Sequence, residues 1–255
     1  IARRFGPDGS TGVRLNAATH SGGTAINDED AKLGLLAVGL DWRSRDVRLS
    51  GDIGWQDHQL KRTRTNVTLG ANVTSVPAVP DNQSNYAQPW SYSNERDTFG
   101  TFRGEWDITP DMTAWAAAGA RRSEEANSLA NITVNNGSSG AATAYRFDNT
   151  REDSVNTGEL GVRGKLQTGS VGHEWVATAS LFDFDKKNAY AMDWRNTLAT
   201  NLYGPVSTNL PAFSGTTLYG GDLANPLRTG TTRLTSFAVG DTLTLLDKRL
   251  LLTAG

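Results

Sequence analysis

Three histidines, no cysteine and no nucleophile motif limit the chemistry this sequence could perform. His20, His58 and His173 are far apart, and His173-Glu174 lacks the second histidine that a zinc-protease helix carries one turn on. No G-x-S-x-G elbow and no phosphate-cradling P-loop occurs. Gly158, Gly161 and Gly164 are wrongly spaced for a dinucleotide turn, and Asp28-Glu29-Asp30 lacks the spacing of a calcium loop. Without cysteine there is no thiolate nucleophile, no Cys-ligated zinc and no iron–sulfur cluster. The sequence reads as a non-enzyme with no metal centre or cofactor of its own.

The remaining candidates are aromatic. Tyr86, Trp90 and Tyr92 lie in one long polar segment, and Tyr190, Trp194 and Tyr203 in another. Rings suit flat or cationic ligands, and binding residues concentrate on loops held by a rigid scaffold. These six are the candidate ligand-binding residues. The plainer alternative is that they pack the loops onto one another.

The elements that would hold such loops follow a period of two. Leu36, Val38, Leu40 and Trp42 alternate with Ala37, Gly39 and Asp41; after a polar turn, Val47, Leu49, Ile53 and Trp55 oppose Arg48, Ser50, Asp52 and Gln56. The same unit recurs around Phe102–Ile108, Leu160–Leu166 and Phe237–Leu245, giving about nine strands. The facing of the strands after Pro110 and after Gly172 is ambiguous. Turns of a few residues, among them Asp247-Lys248, alternate with long Asn/Gly/Ser/Thr-rich segments at about 20–30, 62–96, 124–153 and 186–230. Compact soluble domains rarely carry several such loops, whereas outer-membrane barrels pair short periplasmic turns with long extracellular loops.

Composition agrees. The charge is balanced, 25 Lys+Arg against 27 Asp+Glu, so no basic footprint for nucleic acid exists. The nearly apolar run Leu33–Leu40 is far below the roughly 20 residues of a membrane-spanning helix, a test that leaves β-barrel spans open. Arg48, Asp52, Arg103, Glu105, Asp107, Glu159, Arg163 and Lys165 share one side of their strands, where a wet barrel lumen accepts them and a dry core does not. Trp42, Trp106, Trp115 and Trp175 fall near the short turns and Trp55 near the far end of its strand, as two interface girdles would require. Of these, Trp42, Trp55, Trp106 and Trp175 are the candidate membrane-interface aromatics. No signal-peptide pattern opens the chain, and Leu250–Gly255 stops within an apolar alternation, so the expectation is a window on a longer barrel domain spanning 1–255.

Several stretches together resemble a known family: Asn85-Tyr86-Ala87-Gln88-Pro89-Trp90-Ser91-Tyr92, Phe102-Arg103-Gly104-Glu105-Trp106-Asp107, Thr157-Gly158-Glu159-Leu160-Gly161-Val162-Arg163, Thr168-Gly169-Ser170-Val171-Gly172-His173, and Thr200-Asn201-Leu202-Tyr203-Gly204-Pro205-Val206. In order and spacing they are similar to the middle of the barrel of TonB-dependent siderophore receptors of the ferrichrome type. The resemblance implies an all-β, antiparallel up-and-down meander, part of a barrel of about 22 strands in the outer membrane of a Gram-negative bacterium. It implies import of a ferric siderophore, iron arriving only as the chelate, driven by the TonB complex through a plug domain absent from this segment, as are the C-terminal strands. Arg48, Asp52, Arg103, Glu105, Glu159, Arg163 and Lys165 would then face plug or lumen. Ferrichrome-type receptors carry an aromatic pair where this sequence has Asn66-Val67-Thr68-Leu69, which leaves the siderophore type open. Two other classes share parts of the pattern: a passive porin, and a soluble β-sandwich binding carbohydrate through its loop aromatics.

Overall fold

The alternation between Leu36 and Trp55 becomes an antiparallel pair, β3 (Asp30–Arg43) against β4 (Val47–Lys61). Leu36 stands opposite Trp55 and Val38 opposite Ile53, which puts all four on one face. In this computed structural model, describing residues 1–246 and 249–255, the pairing repeats across a single open sheet. The remaining long strands are β2 (Thr11–Gly23), β6 (Tyr92–Thr109), β7 (Met112–Val134), β8 (Ala141–Thr168), β9 (Val171–Asn201) and β11 (Leu227–Leu245). With β12 (Leu250–Ala254) they are the nine expected strands, neighbours in sequential order. The turn read at Asp247-Lys248 lies outside the described residues.

Three short strands add to the expectation. β1 (Ala2–Phe5) extends the edge beside β2, β5 (Val67–Leu69) runs parallel to the far end of β7, and β10 (Leu218–Gly220) pairs with β9. Strands of three or four residues within loops carry too little alternation to be read from sequence. The segments at 124–153 and 186–201 are also not loops. β7 and β8 continue to a hairpin tip at 135–140, and β9 runs on to Asn201. Both faces are polar in much of that stretch, so the period-two signal fades while the ladder continues.

Cross-strand register settles the ambiguous strands. Ala114, Ala116 and Ala118 stand opposite Trp106, Gly104 and Phe102, so β7 presents its alanines to the apolar face. Trp115 therefore points to the charged face, which removes it from the expected girdle. On β9 the apolar face reads Trp175, Ala177, Ala179 and Leu181. Among the described residues no second layer covers the part of this face nearer the short turns: Ile53 is 63% exposed, Leu160 63% and Phe237 79%. A sandwich would seal those side chains; this sheet presents them outward.

Away from the short turns, charge replaces the apolar residues on the same face. One register row reads Asp57, Arg96, Glu124, Glu152, Lys187 and Arg228 across β4, β6, β7, β8, β9 and β11. Arg96 pairs with Asp57 at 2.9 Å and Lys187 with Glu152 at 2.8 Å. Two rows lower, the line reads Ile53, Gly100, Ala120, Asn156, Asp183 and Arg233, and only its last two members carry charge.

Candidate functional site

The charged face concentrates its chemistry near the short turns of β4, β6, β7 and β8. Arg48 grips Asp107 with two bonds of 2.6 and 2.7 Å, the planar two-point pairing that a guanidinium and a carboxylate favour. Glu105 accepts from Arg103 at 2.9 Å and Arg48 at 3.3 Å, and Arg163 reaches it at 3.5 Å. Arg103 also approaches Glu159 at 3.6 Å, and Glu159 accepts the indole N–H of Trp115. Arg103 and Arg163 lie 5.6 and 5.7 Å from the Trp115 ring, on which both cations can rest. Three arginines and three carboxylates therefore satisfy one another on a half-exposed wall. Charge at this density tolerates water or a polar partner and would not suit a dry interior.

Register explains why the sequence builds this patch. Arg48 is opposite Glu105, Glu105 is opposite Trp115, and Thr113 is opposite Arg163, so alternating positions on four strands converge. Of the residues singled out from sequence, Arg48, Arg103, Glu105, Asp107, Glu159 and Arg163 meet here. Asp52 pairs elsewhere with Arg14 at 2.8 Å, and Lys165 with Glu174 at 2.8 Å. Trp115 and its bond to Glu159 were not anticipated; an odd-numbered position shared with Thr113 and Ala117 on an Ala-rich strand was the available signal.

His173 is also less isolated than its sequence context indicates. Its Nδ1 lies 2.6 Å from Asp241 on β11, and its Nε2 lies 2.6 Å from the Thr168 hydroxyl at the end of β8. The contact ties three strands together at the Gly169-Ser170 turn. A separation of 68 residues hid it from sequence. Among the described residues no group of three or more His, Cys, Asp or Glu is placed to hold a metal ion.

The six loop aromatics do not gather. Tyr86 packs against a buried cluster of Ile132, Val134, Ala142 and Leu202, and its hydroxyl donates to the Thr65 carbonyl. Burial pushes its phenol above the ordinary tyrosine range, against a smaller opposite pull from Arg64. Tyr203 donates to the Ala78 carbonyl at 3.0 Å, joining two loops. Trp90 is half-buried, with an indole N–H that finds no partner. Tyr92 is exposed on the outward face, and Trp194 lies exposed beside Arg195 at 4.7 Å. Tyr190 stacks with Phe147, ring centres 6.3 Å apart, on the charged face. Among the described residues, no two of the six form an aromatic pair.

The long segment 202–226 is fastened against the outward face of the upper hairpins. Arg146 donates to the Pro211 carbonyl at 2.8 Å and Thr150 to that of Leu223 at 2.9 Å. The fully buried Gln88 side chain bridges the backbone of Val206 and Thr208 at 2.8 Å each. Asp193, 1% exposed, accepts from the Ser214 hydroxyl and amide at 2.7 and 2.9 Å. Burial alone would raise that carboxyl; the donated bonds prevail and hold it below the usual carboxylate range. With this segment outside, the inward face at the same height stays open.

No known family profile matches the chain. It is 30% identical over 255 residues, 100% of its length, to the ferrichrome receptor FcuA of Yersinia enterocolitica, and spans 33% of that protein. Among solved structures it superposes on BauA, the ferric preacinetobactin receptor of Acinetobacter baumannii, with a TM-score of 0.86 at 25% identity. That match covers 99% of this chain and 37% of BauA. The siderophore receptor PiuA of Acinetobacter baumannii gives a TM-score of 0.76 at 15% identity, covering 96% of this chain and 37% of PiuA, a likeness of fold. The chain thus spans about a third of the curated relative it matches and follows a contiguous part of the barrels of siderophore receptors.

Proposed function

We propose that this chain is a wall segment, within a single transmembrane β-barrel domain, of an outer-membrane TonB-dependent transporter that binds and imports ferric siderophores. The observation that carries this reading is the outward apolar face below the charged row, uncovered from Leu36 on β3 to Val239 on β11 while the opposite face is ion-paired, in a chain aligned end to end with part of a siderophore receptor. On this reading the outward face meets lipid, with Trp42, Trp55 and Trp106, which are 42%, 40% and 55% exposed, and Trp175 at the edges of the apolar band. The patch of Arg48, Arg103, Glu105, Glu159 and Arg163, with Asp52 and Lys165 beside it, faces the plug and lumen water.

The work of this segment is binding and enclosure, not catalysis. The siderophore supplies the ligands to iron, so the protein needs no metal site or cofactor, and the chelate is the substrate. The TonB complex would act through the plug and not through this wall. Binding falls to the upper inward face and its loops, where Tyr190 is the sequence-selected aromatic best oriented toward the lumen, with Tyr86, Trp90, Tyr92, Trp194 and Tyr203 supporting the loops.

The test is uptake of radioactive iron, supplied as siderophore chelates, by cells whose sole receptor is the full-length protein containing this segment. Uptake that stops when an uncoupler removes the proton-motive force supports the proposal. Uncoupler-insensitive uptake, together with steady conductance in planar bilayers, would instead identify a porin.

A further inference from the structure

The stretch Asn85-Tyr86-Ala87-Gln88 belongs to no strand, yet it is buried: Asn85 is 6% exposed, Ala87 4% and Gln88 1%. Amide side chains at that depth need partners, because a buried polar group without one is costly. Both amides find theirs on other loops, and in opposite directions.

Asn85 reaches toward the loop between β2 and β3. Its amide nitrogen donates to the Asn27 carbonyl at 2.8 Å and to the Arg62 carbonyl at 3.0 Å, and its Oδ1 accepts the Ala87 amide at 2.9 Å. The Gln83 carbonyl accepts the Asn27 amide at 2.9 Å, and Arg62 pairs with Asp28 at 2.7 Å. Asn27 is thus bonded to this stretch through both its backbone groups. Asp28 and Arg62 hold left-handed backbone, with φ of 60° and 56°, which residues other than glycine keep where their surroundings over-determine it.

Gln88 reaches the other way. Its Nε2 donates to the Val206 carbonyl at 2.8 Å, and its Oε1 accepts from the Thr208 amide at 2.8 Å and the Thr208 hydroxyl at 3.0 Å. Between the two amides, Tyr86 packs against the cluster around Ile132 and Val134, and Ala87 is bonded to Asn85, so the link has little slack. Ser91 closes the stretch by donating its amide and its hydroxyl to the Gln88 carbonyl, at 3.0 and 2.8 Å.

We infer that Asn85–Gln88 is a cross-brace that makes the loop 24–29 and the segment 202–208 open and close as one unit. Separate anchors would let either loop open alone. Here, departure of Val206 and Thr208 leaves the Gln88 amide buried without partners, a cost relieved by moving it into water. That movement carries Asn85, three residues away, off Asn27 and Arg62. The same holds in reverse, since coupling between two sites is reciprocal. The inference concerns what the loops of this chain do to one another and does not depend on the transporter reading.

The experiment is hydrogen exchange, followed by mass spectrometry on the full-length protein folded in detergent micelles, at the peptides holding the Asn27 and Thr208 amides. Gln88→Met keeps the bulk of the side chain and removes its bonds; Asn85→Leu does the same at the other end. Heat-dependent gel mobility verifies that each barrel has folded. Each variant is expected to speed exchange at both peptides by about tenfold, the weight of one buried hydrogen bond, and to leave the β4–β6 ladder unchanged. Acceleration confined to the peptide bonded to the substituted residue, or absent from both, overturns the brace. Equal acceleration along the β4–β6 ladder overturns it too, because the effect then belongs to the whole sheet. A measurement on the wild-type protein decides the matter where a variant does not fold. In rising urea below the unfolding transition, the two peptides should reach one opening free energy with one slope, as a single cooperative unit does. Two distinct slopes would show two independent loops and overturn the brace.

Discussion

The lower and upper parts of this sheet solve the same problem in opposite ways. Near the short turns the wall has one layer, with Leu40, Phe102 and Val239 more than half exposed, so its apolar surface depends on what surrounds the protein. Above the charged row the chain brings its own cover: Val134, Ala189 and Ala191 are fully buried beneath segments 62–91 and 202–226. The same continuous strands, β7 to β9, serve both regimes. What differs is whether the loop chain has anchors such as Gln88, Arg146 and Asp193 to hold it down. On the transporter reading a bilayer stabilises the lower part, while the upper part is packed as a water-soluble protein is.

Three measurements would break or sharpen that contrast. The largest effect is expected in the upper core: Ile132→Ala, at a side chain 2% exposed, should cost about 2–5 kcal/mol. It should appear as faster protease cleavage within 62–91 and 202–226 while the barrel keeps its heat-modifiable mobility. A loss of the whole barrel would mean that the two parts are not separable. Leu160→Arg, on the lower outward face, should cost about 2–4 kcal/mol at mid-bilayer depth and reduce the yield of folded barrel in membranes. An unchanged yield would show that this face does not meet lipid. The smallest effect concerns acid. The Asp193 carboxyl sits below its ordinary range, so its bonds to Ser214 contribute stability above the unfolded value, near pH 4, and lose it as the pH falls further. Hydrogen exchange at segment 211–217 should quicken below about pH 4 in the native protein and not in Asp193→Asn.

Where one face is apolar and the other charged, the sequence alone sufficed: Leu36 to Trp55 could be drawn as a hairpin with the correct residues on each side. β7 resisted because alanine occupies both of its faces at 116 and 117, and only its register against β6 decides that Trp115 belongs with Glu159. The upper hairpins resisted because Asn, Ser and Thr carry no sidedness there. The ionic patch was legible in its membership, since charge at alternate positions declares a face, but its pairings needed the register. The loop aromatics were legible as residues and not as roles. Tyr203 finds its carbonyl partner 125 residues away, a contact that no local pattern encodes.

The charged row on the outward face also fixes a slope. Asp57 and Arg96 begin the polar zone on β4 and β6, but on β9 and β11 it begins two rows lower, at Asp183 and Arg233. If that boundary is level with the surface of a bilayer, the strands must lean. Four residues of rise at about 3.3 Å, over five interstrand spacings of about 4.8 Å, give an inclination of roughly 30°. The side chains alone thus carry a protractor for how this wall stands, close to the 35–45° of closed membrane barrels.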